Sequence, residues 1–128
     1  MSWILVALGG AIGASLSYGA GVFLLKPIAD FPWPTWWINL FGCLLAGIFF
    51  ACSQKFPFLQ NEARLLLMVG ILGGFTTFSS FGLETFHLLK QGQVMLAVAY
   101  VLSSVVLGVV LLAVGFYSVQ ALLRQWFY

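Results

Sequence analysis

The stretch Gly70-Ile71-Leu72-Gly73-Gly74-Phe75-Thr76-Thr77-Phe78-Ser79-Ser80-Phe81-Gly82 decides the fold. It lies inside an apolar run from about Ala63 to Leu89. A helix needs about 20 such residues to cross the hydrocarbon of a bilayer. Adjacent glycines beside the hydroxyls of Thr76, Thr77, Ser79 and Ser80 make a poor helix interior, because each Gly costs about 1 kcal/mol relative to Ala. The reading is a membrane-spanning helix broken at mid-membrane depth. Unwound backbone survives there only when buried in protein or lining a polar cavity, since lipid offers it no hydrogen-bond partner.

Three further apolar runs flank this one. The four spans are expected at about 2–25, 35–52, 63–89 and 94–123, with no soluble appendage, so the chain reads as one domain of 128 residues. Five Lys+Arg and three Asp+Glu make up 6% of the chain, against 62% hydrophobic residues. A soluble domain carries about 25% charged residues. So few charges exclude a soluble enzyme, a disordered chain and a nucleic-acid binder, and leave an all-α, multi-pass protein of the lipid bilayer. Span 1 lacks the basic start and short apolar core of a signal peptide. Lys26-Pro27 to Trp33-Pro34, with Asp30 and three prolines, reads as a water-exposed loop. Trp33, Trp36 and Trp37 at the start of span 2 form an interfacial aromatic belt.

Small residues recur at spacing four: Gly9, Gly13, Ser17 and Gly21 in span 1; Cys43, Gly47 and Ala51 in span 2; Ser104 and Gly108 after Tyr100 in span 4. Such stripes let helix backbones approach closely. Cys43 and Cys52 share one helix, roughly 13 Å apart, too far for a disulfide within it. Lys55, Arg64 and Arg124 fall on one side of the membrane, Lys26 and Lys90 on the other. Excess Lys and Arg orient a membrane protein, and a bias of one residue hardly chooses. Such a chain can insert both ways up, and two copies so inserted could form an antiparallel dimer; insertion in a single orientation stays open on charge counting alone, and the small-residue stripes point to a homo-oligomer.

Polar groups inside the membrane are costly and therefore candidates for function. They are Asn39, the Thr76–Ser80 run, Glu84, His87, Tyr100 and Ser104. No metal-ligand spacing, phosphate loop or convincing nucleophile arrangement appears, and the chain is not read as an enzyme. Glu84 and His87, at i,i+3 near a helix end, read as an interfacial pair. Neutral donors outnumber charges, which suits an anion path that must not hold its ion too tightly. Phe78 and Phe81 share a face, and aromatic ring edges carry partial positive charge. Ordinary apolar packing of both rings stays open. Carbonyls freed between Gly73 and Thr76 would suit a monovalent cation on a dimer axis. Satisfaction by Thr and Ser hydroxyls or by water is the open alternative.

These residues resemble the Fluc family of fluoride channels, the CrcB-type proteins of bacteria. The resemblance covers the whole chain and rests on Gly9-Gly10-Ala11-Ile12-Gly13-Ala14 with Tyr18, on Asn39-Leu40 with Gly42 and Gly47, and on Gly73 to Phe81. It implies two fluoride pores per antiparallel, dual-topology homodimer in the bacterial inner membrane, exporting fluoride passively and relieving its toxicity. It implies a structural sodium ion held by the Gly73 and Thr76 carbonyls of both subunits. Asn39, Phe78, Phe81, Tyr100 and Ser104 match pore positions, with Thr35 and Glu84 near a pore end. Ser17 stands where the family usually has Arg. The rival reading is a small four-span proton-coupled exporter of drug cations. It needs a membrane-embedded acid, normally in span 1, where this chain has none.

Overall fold

The structure is a computed structural model that describes residues 2–23 and 31–127. Leu25, Lys26, Pro27 and Asp30, expected at the end of span 1 and in the loop after it, lie outside the described residues. All the regular elements of the described chain are helical. α1 covers Ser2–Phe23 and α2 covers Trp33–Lys55. A 3-10 turn, Pro57–Gln60, leads to a π-helical segment, Arg64–Leu72, which runs into one α-turn, α3, at Gly73–Phe75. α4 covers Phe78–Lys90 and α5 covers Val94–Phe127. Four stretches are long and apolar enough to cross a membrane: Ser2–Val22, Trp33–Lys55, Arg64–Lys90 and Val94–Trp126.

One boundary corrects the sequence reading. Trp33 and Pro34 belong to the first turn of α2 rather than to a loop. Proline fits there because its missing N–H would have had no intrahelical acceptor anyway, and its fixed φ suits a helix. The loop between α4 and α5 turns at Gly92, whose φ of 82° suits a residue without Cβ.

Packing follows the small residues. A Cβ on Gly9 would meet Leu66 O and Gly70 Cα, and one on Gly13 would meet Ile71 O and Phe75 N. A Cβ on Gly74 would meet Gly10 O at 2.6 Å. α1 and the third span therefore touch backbone to backbone, running in the same direction. α2 and α5 form a second parallel pair. A Cβ on Gly47 would meet Leu112 O, and one on Gly115 would meet Leu44 O at 2.6 Å. Gly108 lies against Cys43, and the Phe50 and Phe116 rings pack with centroids 5.3 Å apart. α4 returns antiparallel to α5, with Leu88, Ala97 and Tyr100 forming its buried core. Much apolar surface stays uncovered, including Leu8, Leu102 and Val109, as expected where lipid or another copy is the solvent.

The end of the span 1 stripe differs: among the described residues, no neighbouring atom lies within 4 Å of a Cβ placed on Gly21, and the same holds at Gly19. This contrast gives a test. Gly47→Ala should destabilise the folded protein by about 1–3 kcal/mol through overpacking, whereas Gly19→Ala should leave stability unchanged or slightly raised, both read by denaturant titration in detergent.

Candidate functional site

The third span changes character at Thr76 and Thr77. Thr76 has φ −85° and ψ 156°, and Thr77 has φ −147° and ψ 126°, both extended. α4 restarts at Phe78, capped by Thr77, whose hydroxyl accepts from Ser80 N at 3.3 Å. Such a cap satisfies one of the orphan donors of a helix start. Asn39, from α2, braces the extended pair. Its Nδ2 donates to Thr77 O at 3.1 Å and its Oδ1 accepts from Thr77 N at 3.0 Å. The carboxamide thus supplies the acceptor that Thr77 N lacks and adds a second donor to Thr77 O, which as N-cap carbonyl also accepts the first bond of α4.

The consequence falls on two carbonyls. In an uninterrupted α-helix Thr77 N would donate to Gly73 O, and Ser80 N to Thr76 O. Here the first donates to Asn39 and the second to the Thr77 hydroxyl. Both donors are turned away from Gly73 and Thr76. The Thr76 hydroxyl does not replace them, since it donates to Leu72 O at 2.9 Å.

Beside this corner lies an open cavity of about 500 Å³. Asn39, Thr77, Phe78, Phe81, Cys43 and Ser104 line it, with Gly73 and Thr76 at its wall. The Ser104 hydroxyl is buried without a hydrogen-bond partner among the described residues, an arrangement that calls for an explanation in a native fold. The Phe78 and Phe81 ring centroids are 6.0 Å apart, and Phe81 lies 5.0 Å from the ring of Tyr100. Phe78 is 84% exposed, so its ring is not an ordinary core side chain of a single copy.

Toward the other end of α4, Glu84 holds two hydroxyls. Thr35 Oγ1 donates to Glu84 Oε1 at 2.6 Å, and Tyr100 OH donates to Oε2 at 3.4 Å. Thr35 is buried and Tyr100 has no exposed surface. The expected Glu84–His87 pair is replaced by these contacts, and the His87 ring instead meets the Gln91 side chain at 3.0 Å. Spacing on one helix puts two side chains on one face, but it cannot say that better partners reach across from α2 and α5. Glu84 also borders a cavity of about 320 Å³ with Pro32 and His87.

Of the seven residues expected along a pore, Asn39, Phe78, Phe81 and Ser104 line the larger cavity, while Thr35, Glu84 and Tyr100 form a hydrogen-bonded cluster that meets it through the Phe81–Tyr100 ring contact. Two others were missed. Trp36 Nε1 donates to Ser103 Oγ at 2.9 Å, and Ser103 Oγ donates to Tyr100 O at 3.3 Å. Ser103 precedes the residue of the span 4 stripe, and its neighbour in sequence drew the reading instead. Among the described residues no group of three His, Cys, Asp or Glu converges to hold a metal ion.

The sequence pattern of the family described as "CrcB-like protein, Camphor Resistance (CrcB)" matches residues 4–116. The chain belongs to the CrcB-like family. Among its relatives, a fluoride-specific ion channel from Methylobacillus flagellatus is 45% identical, over 91% of this chain and 93% of its own length. A fluoride-specific ion channel from Thermus thermophilus is 45% identical over 89% of this chain and 90% of its own. One from Hyphomonas neptunium is 42% identical over 92% and 94%. The CrcB-like relatives are ion channels by name and not enzymes.

Removing the Asn39 brace has a defined outcome. Asn39→Ala leaves the Thr77 N–H without its acceptor and should destabilise the protein by about 1–3 kcal/mol. Hydrogen exchange at the Thr77 amide should accelerate in Asn39→Ala but much less in Asn39→Asp, which keeps the acceptor.

Proposed function

We propose that this CrcB-like chain is a passive, fluoride-selective channel of the bacterial inner membrane. The carrying observation is the convergence of Asn39, Phe78, Phe81, Ser104 and Tyr100 along one track. It joins neutral donors to aromatic rings and holds its single carboxylate, Glu84, engaged with hydroxyls at one end. Fluoride is small and strongly hydrated, so a pore must replace its water. An Asn amide nitrogen has two hydrogens, and Thr77 takes one. The other, the unpartnered Ser104 hydroxyl and the ring edges of Phe78 and Phe81 supply partial positive charge without a fixed cation. The N-terminal N–H groups of α4 add to that field. Fluoride enters cells as the neutral acid and ionises inside. The negative-inside potential then drives the anion outward, and export relieves its toxicity with no coupled energy source.

The functional unit in this reading is an antiparallel, dual-topology homodimer with two pores. What supports it is the weak charge bias of the loops, the end of the span 1 stripe that meets none of the described residues and the exposure of Phe78. The third span crosses as a helix broken at mid-membrane, with Thr76 and Thr77 at the break. Gly73 and Thr76 of both subunits hold a structural sodium ion through their carbonyl oxygens. The donor set fits: neutral oxygens, released from helical pairing by Asn39 and Thr77, with no acidic cluster among the described residues to favour a multivalent metal. When bound, sodium supplies a fixed positive centre that ties the two breaks together. A proton-coupled exporter of drug cations is the weaker reading, because the one carboxylate on the track already holds Thr35 and Tyr100.

Purified protein in liposomes, with a potassium ionophore to balance charge, should release fluoride rapidly and retain chloride. Release of neither anion would remove the channel reading. Phe81→Ile, in a protein that remains folded and dimeric, should abolish or sharply reduce fluoride release; unchanged release would show that the ring plays no part in conduction.

A further inference from the structure

The track between α2, α4 and α5 does not end at the Asn39 cavity. A second cavity shares Ala46 and Met68 with it and reaches outward to Ser53, Gln54, Gln60 and Arg64. A third shares Gln54 with the second and is lined by Lys55, Gln120 and Arg124. Three of the five Lys and Arg residues in the chain thus border these two neighbouring outer cavities, on the side away from Glu84. No Asp or Glu is among the residues lining either outer cavity. The described part of α1 carries no charged side chain and lines neither outer cavity.

Of the three, Arg64 lines the cavity that shares Ala46 and Met68 with the Asn39 cavity. It opens the π-helical segment and is exposed. Its backbone is fixed because the segment that follows packs on Gly9 and Gly13 of α1. The polar wall around it is ordered too: Gln60 Nε2 donates to Ser53 O at 2.7 Å, and Ser53 Oγ donates to Phe50 O at 2.8 Å. A hollow walled by low-dielectric helices and lined by one sign of charge focuses the field and raises the local concentration of the opposite ion.

We propose that Arg64, with Lys55 and Arg124 farther out, forms an anion-collecting mouth for the track, and that Arg64 sets the rate at which small monovalent anions enter it. The proposal rests on the channel reading above. The mouth acts through long-range charge and not through a bound geometry, so Lys serves in place of Arg. It gathers anions without choosing among them, and selection stays with the Asn39 cavity.

The test is initial fluoride efflux from liposomes at low fluoride, measured at low and at high ionic strength with an impermeant salt. Arg64→Gln should slow efflux about threefold or more at low ionic strength, Arg64→Glu should slow it further, and Arg64→Lys should match the unaltered protein. The differences should vanish near 1 M salt, where the Debye length is about 3 Å; that recovery also shows that the variants are folded. The fluoride-over-chloride preference should not change. Undiminished efflux in Arg64→Gln at low salt, a loss that persists at high salt, or a changed anion preference would overturn the proposal. Failure of the unaltered protein to release fluoride would overturn the channel reading itself and the mouth with it.

Discussion

The reciprocal hydrogen bonds between Asn39 and the backbone of Thr77 are the constraint on which the rest depends. A backbone group left unpaired inside a membrane costs several kcal/mol. Extended residues such as Thr76 and Thr77 are therefore tolerable there only where a side chain supplies what a helix would have given. Asn39 supplies the acceptor for Thr77 N and a further donor to Thr77 O, and the Thr77 hydroxyl accepts from Ser80 N. Two outcomes follow from one arrangement. Gly73 and Thr76 lose their helical donors, and α4 gains a fresh N-terminus beside Asn39. The same corner thus places carbonyl oxygen on one side and N–H groups on the other, a division suited to a cation and an anion held apart.

That corner needs a rigid frame, and the glycines supply it. Gly9, Gly13, Gly70 and Gly74 bring α1 against the third span at backbone distance, while Gly47, Gly108 and Gly115 do the same for α2 and α5. With few polar side chains to position them, the helices are set by shape. Trp36 adds a directional tie, fastening α2 to α5 through Ser103 one residue from the buried Thr35–Glu84–Tyr100 cluster.

Much of this was legible in the sequence because each span must be apolar along its length and each polar exception is costly. The Gly73-Gly74 pair with its hydroxyls marked the irregular segment, and Asn39, Glu84 and Tyr100 stood out against their surroundings. What was not legible is who meets whom. Asn39 and Thr77 are 38 residues apart, Thr35 and Glu84 49, and Trp36 and Ser103 67. Their meeting depends on how each helix is rotated about its axis. A stripe of small residues reports a face but not its partner: Gly9 and Gly13 face the third span, while Gly21 meets none of the described residues. The same ignorance of rotation made Glu84 and His87 look like a pair. Pro34 misled for a local reason, since proline reads as a helix breaker except in the first turn, where it stands.

The central claim is passive conduction of fluoride through the Asn39 track. It is tested most directly by the reversal potential of the purified protein in a planar bilayer, under a fluoride gradient opposed by chloride and proton gradients. The account predicts a reversal potential set by the fluoride gradient alone. A reversal potential that follows chloride, or that moves with the proton gradient, would contradict it.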